Sequence, residues 1–295
     1  MELIRTGKVK EVYDDGDYLL FKFTDKISVF DKIIPTLISG KGESLCRTSA
    51  FWFNKVSEMG LETHFVSMPA KNQMRVRKFR ILENGADRFD INFLIPLEFV
   101  VRYYVAGSFL DKIRKGTIDY HSVGFKTMPD HGEPFPDPYF EVTTKFERFD
   151  RALTIEEACA IGGVTKEELF QIRDEIFSID RLMQREVGKR GLIHADGKKE
   201  FALSYGRRPV IVDTFGTADE DRFWDQNSLS SGKIVELSKE SVRQFYRQSG
   251  YHSLLYKARE DNKPEPEIPP LPDELKKSTE ELYRKMFERI TGEPW

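Results

Sequence analysis

Long apolar runs are missing from this chain. No stretch approaches the roughly 18 consecutive apolar residues of a membrane span, so no membrane partner is expected. Cysteine is scarce as well. Cys46 and Cys159 are the only two, too few for a disulfide framework or a four-thiolate zinc site. They suit small buried hydrophobes in a reducing, cytoplasmic setting. Neither sign of charge dominates: Lys+Arg is 46 and Asp+Glu is 49, for a formal net charge of −3. A general nucleic-acid binder shows a clear basic excess, so nucleic acid is not an expected partner. A local basic cleft for a small anion stays compatible with that balance. The opening residues MELIRTGKVKEVYDDGD hold no apolar secretory core. HExxH, GxSxG, CxxC and GxxxxGK[ST] patterns do not occur, and His64, His121, His131, His194 and His252 are scattered without metal spacing.

The chain does hold 295 residues, 39% of them hydrophobic and 13% aromatic. That suits one large domain or two to three small ones with a real core. KVKEVY (8–13) and YLLFKF (18–23) flank a DDGD turn cluster and predict a hairpin. Leu45, Ser49, Trp52, Val56 and Met59 recur at helical spacing over 43–59, and Gly60 supplies a stop. Strands are expected at 63–68, 73–82 and 97–105, and a proline-rich loop at 128–140. The strongest helix covers 166–190. Thr165 and Glu168 can form a capping box, and Leu169, Ile172, Ile176, Ile179, Met183 and Val187 draw its core stripe. A second hairpin follows, with strands near 199–205 and 209–213. Ser238 opens a helix to about 259, KPEPEIPPLP (263–272) is extended, and Leu275, Thr279, Leu282, Met286 and Ile290 mark a last amphipathic helix. Hairpins mixed with long helices, without internal repeats, point to an α+β fold rather than βαβ units.

Four constellations can carry chemistry. In GKVKEVY (7–13), a strand would project Lys8 and Lys10 to one face, where two ammonium groups favour an anion between them. Gly7 lets backbone approach that anion. The alternative is an ordinary solvated strand face. In DGKKEF (196–201), Asp196, Lys198 and Glu200 alternate onto one face, and Asp213 ends the apolar run Val210–Val212. A hairpin could bring Glu200 and Asp213 together, and paired carboxylates with phosphate oxygens hold Mg²⁺. Surface ion pairs of little energetic weight are the competing reading. Arg102 lies inside an apolar strand and needs an anionic partner. Gly107 and Ser108 follow it with free N–H groups and a hydroxyl suited to phosphate, or simply to a structural cap. Finally, DTFGTADEDRFW (213–224) packs polar residues behind a strand, with Arg222 the best anion contact.

Taken together, these segments resemble the SAICAR synthetase family. The resemblance rests on GKVKEVY (7–13), DKISVFDKIIPTLISGKGESLCRTSAFWF (25–53), VVRYYVAGS (100–108), TTKFERFD (143–150), DGKKEF (196–201) and DTFGTADEDRFW (213–224), in that order and over nearly the whole chain. It implies a fold related to ATP-grasp and kinase-like enzymes, with two lobes, a nucleotide cleft and C-terminal helices. The implied divisions are 1–85, 86–262 and 263–295. It implies an ATP-dependent ligase joining L-aspartate to the carboxylate of CAIR, giving SAICAR, ADP and phosphate in purine biosynthesis. By the same resemblance, Lys8 and Lys10 meet ATP phosphates, and Glu200 and Asp213 stand near Mg²⁺. Arg102, Ser108 and Arg222 hold the ribonucleotide phosphate. Lys145, Asp150, Asp196 and Lys198 line the reacting centre, and Ser28, Asp31, Lys41 and Gly42 form a further substrate-side loop. The chain departs from the family's usual residues at Tyr103, Gly197, Lys199 and Thr214.

The implied mechanism is physically coherent. A carboxylate is a poor acyl donor, and a transferred γ-phosphoryl group gives it a good leaving group. Lys8, Lys10 and Lys198 would offset phosphate charge, and Asp196 or Asp150 could take the amine proton. The segment 39–45 is the expected moving cover. A small-molecule kinase of similar fold, which stops after phosphoryl transfer, is the alternative. The last helix can seal the core or meet a second copy, so a homo-oligomer is compatible with the sequence.

Overall fold

A computed structural model of the chain describes residues 1–82, 85–147 and 150–295, without the side chain of Ser108. Three strands open it: β1 (Glu2–Thr6), β2 (Lys10–Asp15) and β3 (Tyr18–Phe23). A short hairpin, β4 (Lys26–Val29) and β5 (Lys32–Leu37), leads into helix α1 (Lys41–Glu58). Strands β6 (Phe65–Ala70) and β7 (Gln73–Arg77) then return to the first three, giving an antiparallel sheet in the order β1-β2-β3-β7-β6.

The expected hairpin of 8–13 with 18–23 therefore forms, with one correction. β1 pairs antiparallel with β2, so the chain must reverse between them. Gly7, Lys8 and Val9 make that bend, closed by the Gly7 N–H donating to the Lys10 carbonyl at 2.8 Å. Lys8 thus lies in the turn and does not share a strand face with Lys10.

The second sheet is also antiparallel. Its strands are β8 (Phe93–Leu94), β9 (Leu97–Tyr104), β10 (Pro134–Thr144), β11 (Leu192–Leu203), β12 (Pro209–Val212) and β13 (Asp221–Asp225). The main path is β10-β9-β11-β12, with β8 and β13 also on β11. Helices α2 (Gly107–Arg114), α3 (Ile155–Gly162) and α4 (Lys166–Gly188) lie between these strands in the chain. The remaining helices are α5 (Gln226–Ser230), α6 (Glu240–Gln248), α7 (Tyr251–Glu260) and α8 (Asp273–Thr291). Two antiparallel sheets with separate helices bear out the α+β expectation.

Proline chemistry explains one miss. The segment 128–140 was expected as a loop, yet Pro134 to Thr144 is a strand. β10 is an edge strand, where missing N–H groups are tolerated. Its pairing with β9 breaks between Pro134 and Tyr139, the stretch that holds Pro136 and Pro138. The helix expected from Ser238 to 259 is two helices, because Gly250 turns the backbone to φ +79° between α6 and α7.

The sheets are stitched where the cavity described below begins. The His64 N–H donates to the Ile211 carbonyl, and the Ile211 N–H to the Glu62 carbonyl, both at 3.0 Å. Behind this junction one continuous apolar core runs through α1, α4 and both sheets, with Trp52, Phe53, Phe201 and Phe215 fully buried. The α4 stripe from Leu169 to Val187 is buried as its periodicity requires. Helix α8 packs on α1 and α4 and buries Tyr283, Met286 and Ile290. Both cysteines are free thiols.

Thr165 and Glu168 form the reciprocal cap at the start of α4, at 3.2 and 2.8 Å. Thr165→Ala should therefore lower stability by about 1 kcal/mol in urea denaturation, leaving the slope unchanged.

Candidate active site

A cavity of about 630 Å³ is lined by residues of both sheets. Val12, Leu19, Phe21, Leu94 and Val212 give it apolar wall, while Lys10, Lys145, Lys198, Glu98, Glu200, Asp213 and Glu220 give it charge. The hairpin of β11 and β12 sets Glu200 opposite Val212, so Asp213 stands one position beyond that pair. Asp213 has φ +61°, a left-handed conformation rare outside glycine. Two contacts hold it there. The His64 Nε2–H donates to the Asp213 carbonyl at 3.2 Å, and Lys10 pairs with the Asp213 carboxylate. Strain of this kind persists only where surroundings over-determine it.

The charged wall alternates in sign. Lys198 Nζ lies 2.9 Å from Glu98, 3.2 Å from Glu200 and 3.5 Å from Glu220. Lys145 pairs with the other oxygen of Glu200. Burial alone would lower the Lys198 pKa, but Glu220, Glu200 and Glu98 outweigh it and hold the ammonium well above the ordinary lysine value. Burial alone would raise Asp213, and Lys10, Lys145 and Lys198 instead pull it well below the carboxylate range. Glu220 goes the other way: burial, then Asp213 and Glu200 nearby, raise it against the pull of Lys198. The strand residues Lys198 and Glu200, with Lys10, Lys145 and Asp213, are thus brought together. Lys8 lines the same cavity but pairs with Asp31 at 2.5 Å in an exposed contact.

Other expected residues fall elsewhere. Arg102 donates to Glu141 at 2.9 Å and to Asp196 at 3.4 Å, and Arg222 donates to Glu236 at 3.1 Å and also to Asp196. Asp196 is therefore gripped by two guanidinium groups rather than presented as a free base. Among the described residues, none of these three lines the cavity. Asp150 is exposed and also outside the lining. Ser28 is buried on β4. The Ser108 side chain lies outside the described residues, although its backbone starts α2 as expected.

Lys41 and Gly42 require a correction. They begin α1 instead of forming a mobile cover over 39–45. Lys41 is fully buried, 2.7 Å from Asp219, which also accepts from the Tyr283 hydroxyl at 2.6 Å. A Cβ on Gly42 would sit 2.8 Å from the Phe23 carbonyl oxygen, so backbone packing demands the glycine. Asp219 lines the cavity, and Lys239 and Lys41 hold its carboxyl well below its usual range despite burial. Sequence reading missed Glu98, Glu220, His64 and Tyr283 as site residues, and met Asp219 only as one polar residue of the 213–224 loop. Glu98 was visible as a lone charge in the apolar strand LEFVV, and Glu220 lay unremarked in the 213–224 segment.

The family signature of SAICAR synthetase matches residues 3–257. Relatives from Thermoplasma acidophilum and Thermoplasma volcanium, both named phosphoribosylaminoimidazole-succinocarboxamide synthase, are 55% and 56% identical over the full length of both chains. The chain belongs to the SAICAR synthetase family. Among solved structures, a SAICAR synthase from Saccharomyces cerevisiae complexed with SAICAR matches with a TM-score of 0.77, at 24% identity, over 99% of this chain and 95% of that one. A SAICAR synthetase in complex with ADP matches with a TM-score of 0.70, at 24% identity, over 99% and 98%. At that identity the two structures establish a shared SAICAR synthetase fold.

Two outcomes test this geometry. Burial drives His64 down to about 3, so it is neutral in the folded protein and titrates near 6.5 when unfolded. Its contribution is complete above pH 6.5 and is lost as pH falls toward 3, by up to about 4 kcal/mol. His64→Gln should flatten the acid limb of the stability profile by close to one proton, read from urea midpoints at several pH values. Lys41→Met removes the lysine in direct contact with the buried Asp219 carboxylate, leaving the Tyr283 hydroxyl and the more distant Lys239. It should cost roughly 3 kcal/mol in stability, while KM for ATP stays within about twofold because Lys41 does not line the cavity among the described residues.

Proposed function

We propose that this chain joins L-aspartate to the carboxylate of CAIR, converting ATP to ADP and phosphate through an acyl-phosphate intermediate. Membership of the SAICAR synthetase family supports the reaction. The observation that carries the residue assignment is the convergence of Lys10, Lys145 and Lys198 with Glu200 and Asp213 at one cavity. The apolar lining suits a purine ring and the charged wall suits phosphates. In this reading the two sheets belong to two lobes of an ATP-grasp-like or kinase-like cleft, divided near residue 85, with 263–295 as an appended segment.

Lys10 and Lys198 would draw negative charge off the phosphoryl group in transfer, and Lys145 would hold Glu200 in place. Lys8 is free to exchange its exposed Asp31 contact for a phosphate oxygen. Such an exchange costs little, since exposed pairs are weak. Arg102 and Arg222 would receive the ribonucleotide phosphate, which competes with Asp196 for the same guanidinium groups. Asp196, once displaced, would stand two residues from Lys198 as the acceptor for the amine proton.

Mg²⁺ fits this donor set in one specific way. Among the described residues, no three metal-ligating side chains converge on one point, so the protein builds no cage. Glu200 and Asp213 nonetheless offer hard carboxylate oxygens beside the phosphate region, the pattern in which one or two carboxylates plus substrate phosphates hold Mg²⁺. Bound there, the ion would neutralise phosphate charge.

Release of ADP, measured with CAIR, aspartate and Mg²⁺ and with each left out in turn, tests the reaction. ADP formation should stop without aspartate in steady state. Formation at full rate without aspartate would establish the kinase alternative. Lys198→Ala should lower kcat by roughly 10²-fold or more, and a variant with normal kcat removes Lys198 from the assignment.

A further inference from the structure

We propose that Asp221 is a positioning residue for the ligase reaction: it fills the space left empty by Gly197 and thereby locks the strand bearing Lys198 to the loop bearing Asp213 and Glu220. Gly197 stands between Asp196 and Lys198 on β11, directly opposite Asp221 of β13. A Cβ at Gly197 would collide with the Asp221 carboxylate, lying 2.7 Å from its Cγ and 2.8 Å from His194 Nε2. The absent side chain is therefore replaced by a carboxylate from another strand.

That carboxylate works in two directions. One oxygen accepts from the Gly216 N–H at 2.7 Å, which fixes the loop running from Asp213 to Glu220. The other accepts from His194 Nε2 at 2.7 Å and lies 4.0 Å from Lys199 Nζ, both on β11. Lys199 in turn pairs with Asp180 of α4 at 2.5 Å, and the Tyr103 hydroxyl of β9 donates to Asp180 at 3.0 Å. The side chains of His194, Lys199, Asp180 and Asp221 are all fully buried. Ionisable groups are costly at such a depth unless each is paired, so a cluster of four constrains the backbone segments that supply them. Trp52 adds a further tether by donating to the Gly216 carbonyl at 3.0 Å.

The functional consequence is geometric. Lys198 meets Glu98 and Glu200 within the sheet but meets Glu220 across the gap between strand and loop. Asp221 is the residue directly after Glu220, and Gly197 directly precedes Lys198. Neither lines the cavity among the described residues. They act through their neighbours, and a displacement of about 1 Å at a reacting group can cost 10²-fold in rate.

A double-mutant cycle tests the interlock, which rests on the proposed role of Lys198. Gly197→Ala should lower kcat roughly 10²-fold with KM for ATP within about threefold. Asp221→Ser should lower kcat about tenfold, and Asp221→Asn, which keeps the shape, should lose less than the serine variant. The combination Gly197→Ala with Asp221→Ser should recover kcat about tenfold over Gly197→Ala alone, because the smaller side chain yields room for the new methyl. A general structural weakening would give no such recovery. Losses that simply multiply, or Gly197→Ala at wild-type kcat, would overturn the proposal. Thermal melts of the same four proteins read the interlock without catalysis: Asp221→Ser must raise Tm in the Gly197→Ala background. Should Gly197→Ala fail to fold alone, soluble, folded double mutant counts for the interlock and an unfolded one against it. Lys198→Ala run in parallel separates the two ideas, since normal kcat there defeats the Lys198 role while the Tm cycle still judges the interlock.

Discussion

The Lys198 ammonium sits among Glu98, Glu200 and Glu220, at 2.9, 3.2 and 3.5 Å, and these carboxylates come from β9, β11 and the loop before β13. Burial alone would lower the Lys198 pKa, and Glu220, Glu200 and Glu98 together hold it above its ordinary value. The arrangement is collective, and it makes each partner's position depend on the others. Lys145 on Glu200 and Lys10 on Asp213 extend the same alternation toward the first sheet. A wall of this kind needs strands in register. A one-residue slip of β11 would turn Lys198 and Glu200 to the far face, where Gly197 and Lys199 now meet the buried network.

Residues that do not line the cavity still decide its shape. Asp219 lines the cavity while its carboxylate is tied to Lys41 at the start of α1 and to Tyr283 on α8. Two residues later, Asp221 ties the loop to β11. Buried pairs of this sort add little net stability when intact, yet removing one partner is expensive. Their effect is to make alternative loop positions unfavourable. Helix α8 lies beyond the stretch matched by the family signature, and through Tyr283 it nonetheless reaches the site.

What could be read from sequence divides along a physical line. Periodicity reports local structure, so α1, α4, the hairpins and the α8 stripe were legible. The capping box of Thr165 with Glu168 was legible for the same reason. Edge position is not local, so the proline-bearing strand β10 read as a loop. Nor can spacing distinguish a lysine that faces a ligand from one that faces a buried carboxylate. Lys41 looked like a substrate contact in a glycine-containing loop, and its partner Asp219 lies 178 positions away. The same limit hid Glu98, whose meaning appears only when Lys198 arrives from a strand 100 residues on. Tyr103, Gly197 and Lys199, three of the four departures from the usual family residues, looked independent and meet in one network through Asp180 and Asp221.

Charge arithmetic at the cavity constrains how a triphosphate can enter. Around Lys198, the ammonium groups of Lys10, Lys145 and Lys198 are interleaved with the carboxylates of Glu98, Glu200, Asp213 and Glu220, while Asp219 and the cations Arg5, Lys8, Arg77, Lys78 and Arg80 also line the cavity. A polyanion brought to that wall meets lysines already paired with carboxylates, so accompanying positive charge or protonation of a carboxylate would favour its binding. Burial and like-charged neighbours raise the Glu220 pKa, so protonation of Glu220 costs less than that of an ordinary carboxylate. Glu98 is likewise raised, chiefly by burial. Protonating either would weaken the hold on Lys198 that the wall depends on. In the proposed reading, a divalent cation carried in with the nucleotide would neutralise phosphate charge and take up oxygens of Glu200 and Asp213, releasing Lys10 and Lys198 toward the phosphates. On that reading the interleaved wall would suit a nucleotide that brings its own metal, since the described residues form no three-ligand cage.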